Sequence, residues 1–336
     1  MKKNLDISTQ VFGANILLTH LQAFEAEIEG FRNNKDIEAV HRMRVASRRL
    51  RCTLPLFSAS FSERKAQRWL ANITEISDYL GEVRDYDVQI DYLKKQIDSL
   101  PNENLKPGFN RLILRLSKSQ EKIKQKVLKA LECDENLQMI KEMNKFLPPL
   151  VELKDQVYLY TPSLYNLSFK AVTSRLDHFL AFEEFIFQPE KVKEIHAMRT
   201  SNKWLRYTCE TFAPLYSDEL KHPLLFLRKT QEALGELHDC DLWIQYLPVF
   251  MEKEEKRTLE YFGKTRPYRN LVPGLEYLLE QKQKERLALY QVFVETWQNS
   301  QAENIWGELR QAIQAPFSQQ VDLSKQPNST SSVQEP

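Results

Sequence analysis

A chain of 336 residues, 42% hydrophobic and 28% charged, can bury a core of domain size without disulfide or metal staples. Its 47 Lys plus Arg nearly cancel 46 Asp plus Glu, for a formal net charge of +1, which excludes bulk attraction for nucleic acid or an anionic membrane; any polyanion site must be a local concentration of charge. Only 8 glycines suit long amphipathic helices better than sheets, which need many turn glycines, so an all-α class is expected.

The opening MKKNLDISTQ is basic, but Asp6 and its polar neighbours interrupt any apolar leader, and no apolar run approaches the roughly 20 residues needed to cross a bilayer. Predicted helices then follow over 10–30, 36–59, 62–80, 84–99, 108–131 and 134–147. A second series covers 163–186, 190–215, 219–235, 239–254, 274–298 and 301–314. Between the two, Pro148-Pro149 to Pro162 reads as a junction, since consecutive prolines stop helices. From about Ala315 a tail (316–336) rich in Ser, Gln, Pro and Asn has too few apolar residues to pack and is expected to be disordered. Four cysteines, Cys52, Cys133, Cys209 and Cys240, lack paired CxxC spacing; they suit small core positions in a reducing compartment. The cytoplasm is the expected location.

The two series are copies, 10–147 and 163–315. VHRMRVASRRLRCTLPLF (40–57) aligns with IHAMRTSNKWLRYTCETF (195–212) at an offset of 155, and LGEVRDYDVQIDYL (80–93) with LGELHDCDLWIQYL (234–247) at 154. Pro107-Gly108 and Pro273-Gly274 form a weaker third match. Repetition at nearly constant spacing marks a duplicated unit.

The first block carries the chemistry. At about 100° per residue, His41, Arg44, Arg48 and Arg51 fall within an arc of about 80°, while Met43, Ala46, Leu50, Leu54 and Phe57 form a separate apolar stripe. His196, Arg199, Lys203 and Arg206 repeat the basic stripe beside Met198, Ser201, Leu205, Cys209 and Phe212. A solvated helix face alternates signs to gain i,i+4 pairs, whereas residues 40–51 carry five Arg and no acid. Such a stripe repels itself unless an anion is present. Guanidinium forks suit phosphate oxygens, and two stripes suit a chain of phosphates rather than one.

In the second block, Gly81 and Gly235 read as helix C-caps, with Asp85, Asp87, Asp239 and Asp241 either opening the next helix or orienting a His or Arg of the stripe. Arg84 and His238 occupy equivalent positions and are candidates for direct anion contact. His238-Asp239 with His196 also allows a metal-dependent phosphohydrolase, although copy one places Arg84 where that reading needs a ligand and Arg cannot coordinate a metal. Glu252-Lys253-Glu254-Glu255-Lys256 spells ExExK, a phosphate-processing signature on strands, but it continues a helical segment and reads as a solvated helix end. Nucleic acid competes as ligand, yet no stripe position is aromatic; Trp204 and Tyr207 lie beside the stripe only in copy two.

The paired HxxRVxxRRLR and LGxxRDxD motifs, repeated as HxxRTxxKWLR and LGxxHDxD, resemble the CHAD family, the conserved histidine α-helical domain, over residues 10–315. The resemblance implies two repeated helical bundles related by a pseudo-two-fold axis, with a basic central groove or pore that binds inorganic polyphosphate without catalysis or cofactor, and an association with polyphosphate granules. By position the implied binding set is His41, Arg44, Arg48, Arg49, Arg51 and Arg84 with His196, Arg199, Lys203, Arg206 and His238. Lys203-Trp204 departs from Arg48-Arg49, which shifts one wall from bidentate to point-charge contact. A metal-dependent phosphohydrolase and a nucleic-acid-binding module stand as alternatives.

Overall fold

The computed structural model describes residues 6–33, 37–216 and 218–323, and among these the ordered elements are all helical. In chain order they are α1 (Ile7–Glu25), α2 (Ile28–Arg32), α3 (Ile37–Phe57), α4 (Glu63–Ile97), α5 (Lys106–Glu132), α6 (Asp134–Phe146), α7 (Pro148–Val151), α8 (Pro162–Leu180), α9 (Val192–Phe212), α10 (Lys221–Phe262), α11 (Arg266–Arg269), α12 (Val272–Ala302) and α13 (Ile305–Leu323). None of the described helices is long and apolar enough to cross a membrane.

The helix spacing of apolar residues decides what each element buries. On α1, Leu17, Leu21 and Phe24 are fully buried at successive turns, one stripe facing the core. Both apolar stripes predicted on α3 and α9 are buried as well, from Met43 to Phe57 and from Met198 to Phe212.

Three local expectations are corrected. Gly81 and Gly235 do not end helices: each lies inside one long helix, α4 or α10. Leu80, Val83, Ile90 and Leu93 on α4, like Leu234, Leu237 and Leu247 on α10, continue one buried face through the glycine, and that burial exceeds the roughly 1 kcal/mol a mid-helix glycine costs. Asp85, Asp87, Asp239 and Asp241 are therefore helix-interior residues, not helix openers. The glycine that does cap is Gly263, at φ 65° after α10. The proline junction does stop a helix, since α6 ends at Phe146, but Pro148 and Pro149 then open the short α7, because a proline's fixed φ suits a first helical turn. The last helix continues past Ala315 to Leu323; residues 324–336 lie outside the described residues.

Two cores hold the copies together. The larger joins α1, α3, α6, α8, α9, α13 and the N-terminal halves of α4 and α10, and the smaller joins Ile90 and Leu93 of α4 and Phe109 of α5 with Trp243 of α10 and Leu275 of α12. At several points of the seam equivalent residues meet. The N-cap side chains Asp6 and Thr161 hydrogen-bond each other at 3.2 Å, Phe57 and Phe212 pack with ring centroids 5.8 Å apart, and α5 crosses α12 at Gly108 and Gly274. A Cβ on Gly274 would stand 2.1 Å from the Leu105 carbonyl oxygen, so only glycine permits this approach. On α4 and α10 the segments between the cores, Arg84–Asp87 and His238–Asp241, carry Arg84, Asp85, Asp87, His238, Asp239 and Asp241, while Tyr86 packs against both cores.

Candidate functional site

Helices α3 and α9 pack against each other where the copies meet, anchored by their apolar stripes, which turns their basic stripes toward a common space. Arg48 and Arg206, from opposite copies, both lie over the Tyr207 ring, at 5.2 and 4.8 Å from its centroid. Tyr207 is itself buried, 7% exposed. Trp204 serves the same end of the cluster, with Arg51, Arg175 and Lys203 over its ring at 5.5–5.8 Å. Neither aromatic is a stripe residue by spacing, yet the fold sets both among the cations.

Few acids balance these charges. Arg44 lies 3.9 Å from Asp85, whose side chain is 61% exposed. Arg206 approaches Glu210 at 3.6 Å, and Arg51 donates to Asp78 at 2.5 Å. Among the described residues Arg48, Arg199 and Lys203 form no ion pair, and the Nε atoms of Arg44, Arg48, Arg199 and Arg206 and Nδ1 of His41 are buried without a hydrogen-bond partner. Unsatisfied buried donors of this kind are costly. Here four guanidinium donors of this kind occur in one cluster.

Burial pushes Lys203 down to about 8, helped by Arg48, Arg199, Arg44 and Arg51. Burial and the same mutual repulsion lower Arg44, Arg48 and Arg199, although guanidinium remains charged. His41 is lowered by burial and then by Arg84 and other arginines, which outweigh Glu38. His196 and His238 face each other with Nδ1 atoms 2.9 Å apart; burial, Arg199 and His196 push His238 down to about 3. Both imidazoles are thus held neutral, one donating to the other. Burial raises Asp87, opposed by Lys124, Arg84 and the Gln120 amide.

The remaining positions separate from this cluster. Arg49 pairs with Glu210 at 3.5 Å and lines a small cavity with His20, Cys52 and Pro214. Asp241 is buried and accepts from Arg286 at 2.5 Å, a structural pairing that ties α10 to α12. Arg175, at the position equivalent to His20, belongs to the cluster but gave no signal in the sequence, since a lone Arg on α8 marks nothing by itself.

A family model described as the CHAD domain matches residues 15–248. The crystal structure of the CHAD domain from the plant Ricinus communis is similar, with 22% identity, a TM-score of 0.63 and coverage of 86% of this chain and 90% of that one. PptA from Streptomyces chartreusis is similar with 16% identity, a TM-score of 0.60 and coverage of 86% and 99%. No curated protein matches the chain.

Proposed function

The chain belongs to the CHAD family, and we propose that it binds inorganic polyphosphate without turning it over, in a basic groove lined by both copies. The observation that carries this reading is the concentration of Arg44, Arg48, Arg199 and Lys203 from both copies in one cluster, where burial and mutual repulsion lower the pKa of all four and, among the described residues, only Arg44 has an ion-pair partner, Asp85 at 3.9 Å. Phosphate oxygens at the outer N–H groups of these side chains cancel that repulsion. A linear polyanion spans both stripes at once, and Arg84 and His238 extend its path onto α4 and α10. The pseudo-two-fold relation that the family resemblance implies fits a ligand whose two ends are chemically alike.

Nucleic acid fits less well. Base stacking needs a free aromatic face, whereas Tyr207 is buried and Arg51, Arg175 and Lys203 occupy the surroundings of Trp204. Hydrolysis through a metal on His196 and His238 is disfavoured by Arg199, whose charge already depresses both imidazoles. A cytoplasmic role in organising polyphosphate granules follows from this reading. Titration with polyphosphate of defined lengths, with phosphate release followed in parallel in Mg²⁺, Mn²⁺ or Zn²⁺, tests it: saturable binding without release is expected. Metal-dependent release abolished by His238→Ala contradicts it.

A further inference from the structure

The C-terminal turns of α10 build a second cationic site that the basic stripes do not involve. Glu254, the middle acid of the run read as a solvated helix end, is fully buried. Three guanidiniums converge on it: Arg115 donates Nε and Nη2 at 2.7 and 3.1 Å, Arg111 donates Nη1 at 3.2 Å, and Arg257 donates Nη1 at 2.6 Å. One bidentate arginine would neutralise this carboxylate. The other two are excess charge, 34% and 50% exposed, and each guanidinium offers five N–H donors, most of them unused by Glu254.

These arginines line an open cavity of about 550 Å³ with Thr258, Glu260, Tyr261 and Phe262. Tyr261 is 82% and Phe262 52% exposed, their rings 4.8 Å apart. Large aromatics this exposed beside unspent guanidiniums suit a ligand with both an anionic and a flat apolar part. The duplicated fold does not require the arrangement. Helix α4 ends at Ile97, and the positions equivalent to Glu254 and Arg257 are Leu100 and Glu103, so α10 overshoots its counterpart by the turns that carry this site.

We propose that Arg111, Arg115 and Arg257, rimmed by Tyr261 and Phe262, form a binding site for a nucleoside polyphosphate, with the phosphates on the arginines and the base against the rings. Glu254 acts as the internal anchor that fixes the three forks. The site is independent of the polyphosphate reading, and the test separates the two.

Calorimetric titration of the full chain with ATP, pyrophosphate and adenosine, in the absence of divalent ions, measures it. ATP binds and the two fragments bind at least about tenfold more weakly, since each forfeits either charged hydrogen bonds or ring stacking. Arg111→Ala with Arg257→Ala lowers ATP affinity by about tenfold or more. Tyr261→Ala, at a position 82% exposed, lowers it about fivefold. With Arg44→Glu and Arg199→Glu in place, which removes phosphate binding by the stripes, ATP is still bound and the losses at Arg257→Ala and Tyr261→Ala persist. Absence of ATP binding overturns the proposal, as does ATP binding that survives Tyr261→Ala and Arg257→Ala intact or that disappears with the stripe arginines.

Discussion

Lys203 is the stripe residue whose chemistry differs between the copies, standing where copy one has Arg48. Its ammonium, pushed down to about 8, is charged at neutral pH at a cost that the unfolded chain does not bear. Because the folded value lies below the ordinary 10.5, the unfolded chain holds more protons between these values, and stability from this group rises with pH across that window. Relative to Lys203→Met, the wild-type protein should therefore lose stability as pH falls from about 10 to about 7, read from denaturant midpoints. A bound polyanion reverses the penalty and raises the pKa, so binding near pH 8.5 should take up a proton, seen as a dependence of the calorimetric enthalpy on buffer ionisation. Lys203→Arg should abolish that uptake; equal uptake in the variant contradicts the assignment. His238, pushed down to about 3 by burial, Arg199 and His196, stays neutral from pH 8 to 6 in the free protein and contributes no such uptake there. The stripes themselves were legible because helical periodicity alone aligns them. Tyr207 was not, because its role depends on Arg48 reaching it from the other copy.

Helix-level signals were legible wherever the deciding contacts are local and misleading where they are distant. Gly81 resembles a C-cap in sequence, yet its missing Cβ faces open space inside α4; Gly274 resembles an ordinary residue after a helix-opening proline, yet it is the crossing point with α5. The two should respond oppositely to alanine. Gly81→Ala should stabilise the protein by about 0.5–1 kcal/mol, the conformational advantage of alanine within a helix. Gly274→Ala should destabilise it by about 1–3 kcal/mol, because the new methyl meets backbone that cannot yield without separating α5 from α12. Urea unfolding of both variants checks the pair, and a loss of stability at Gly81 would restore the helix break. Glu254 shows the same limit of sequence reading. Its neighbours in sequence are solvated, and only Arg111 and Arg115, brought from α5, reveal that it is buried.

For the whole molecule, the repeat was the most informative feature of the sequence, since it fixed which helices correspond before any packing was known. Which equivalent residues touch was not legible, because Asp6 with Thr161, Phe57 with Phe212 and Gly108 with Gly274 meet only once the copies dock. That docking concentrates Arg44, Arg48, Arg199, Lys203 and Arg206 in a chain of net charge +1, so the folded state carries a repulsion that anions relieve. Polyphosphate should raise the melting temperature more than chloride at equal ionic strength, as any ligand selective for the folded state does, and its affinity should fall by at least about tenfold between 50 and 200 mM salt through counterion release. The measurement that bears most directly on the central claim is the polyphosphate binding isotherm of Arg44→Glu with Arg199→Glu, set beside that of Lys94→Glu with Lys95→Glu, an equal charge change on the surface of α4. If one ligand is held by both copies, the stripe pair should abolish saturable binding and the surface pair should leave it nearly intact. Equal weakening by the two pairs would mean a diffuse attraction and contradict a shared site.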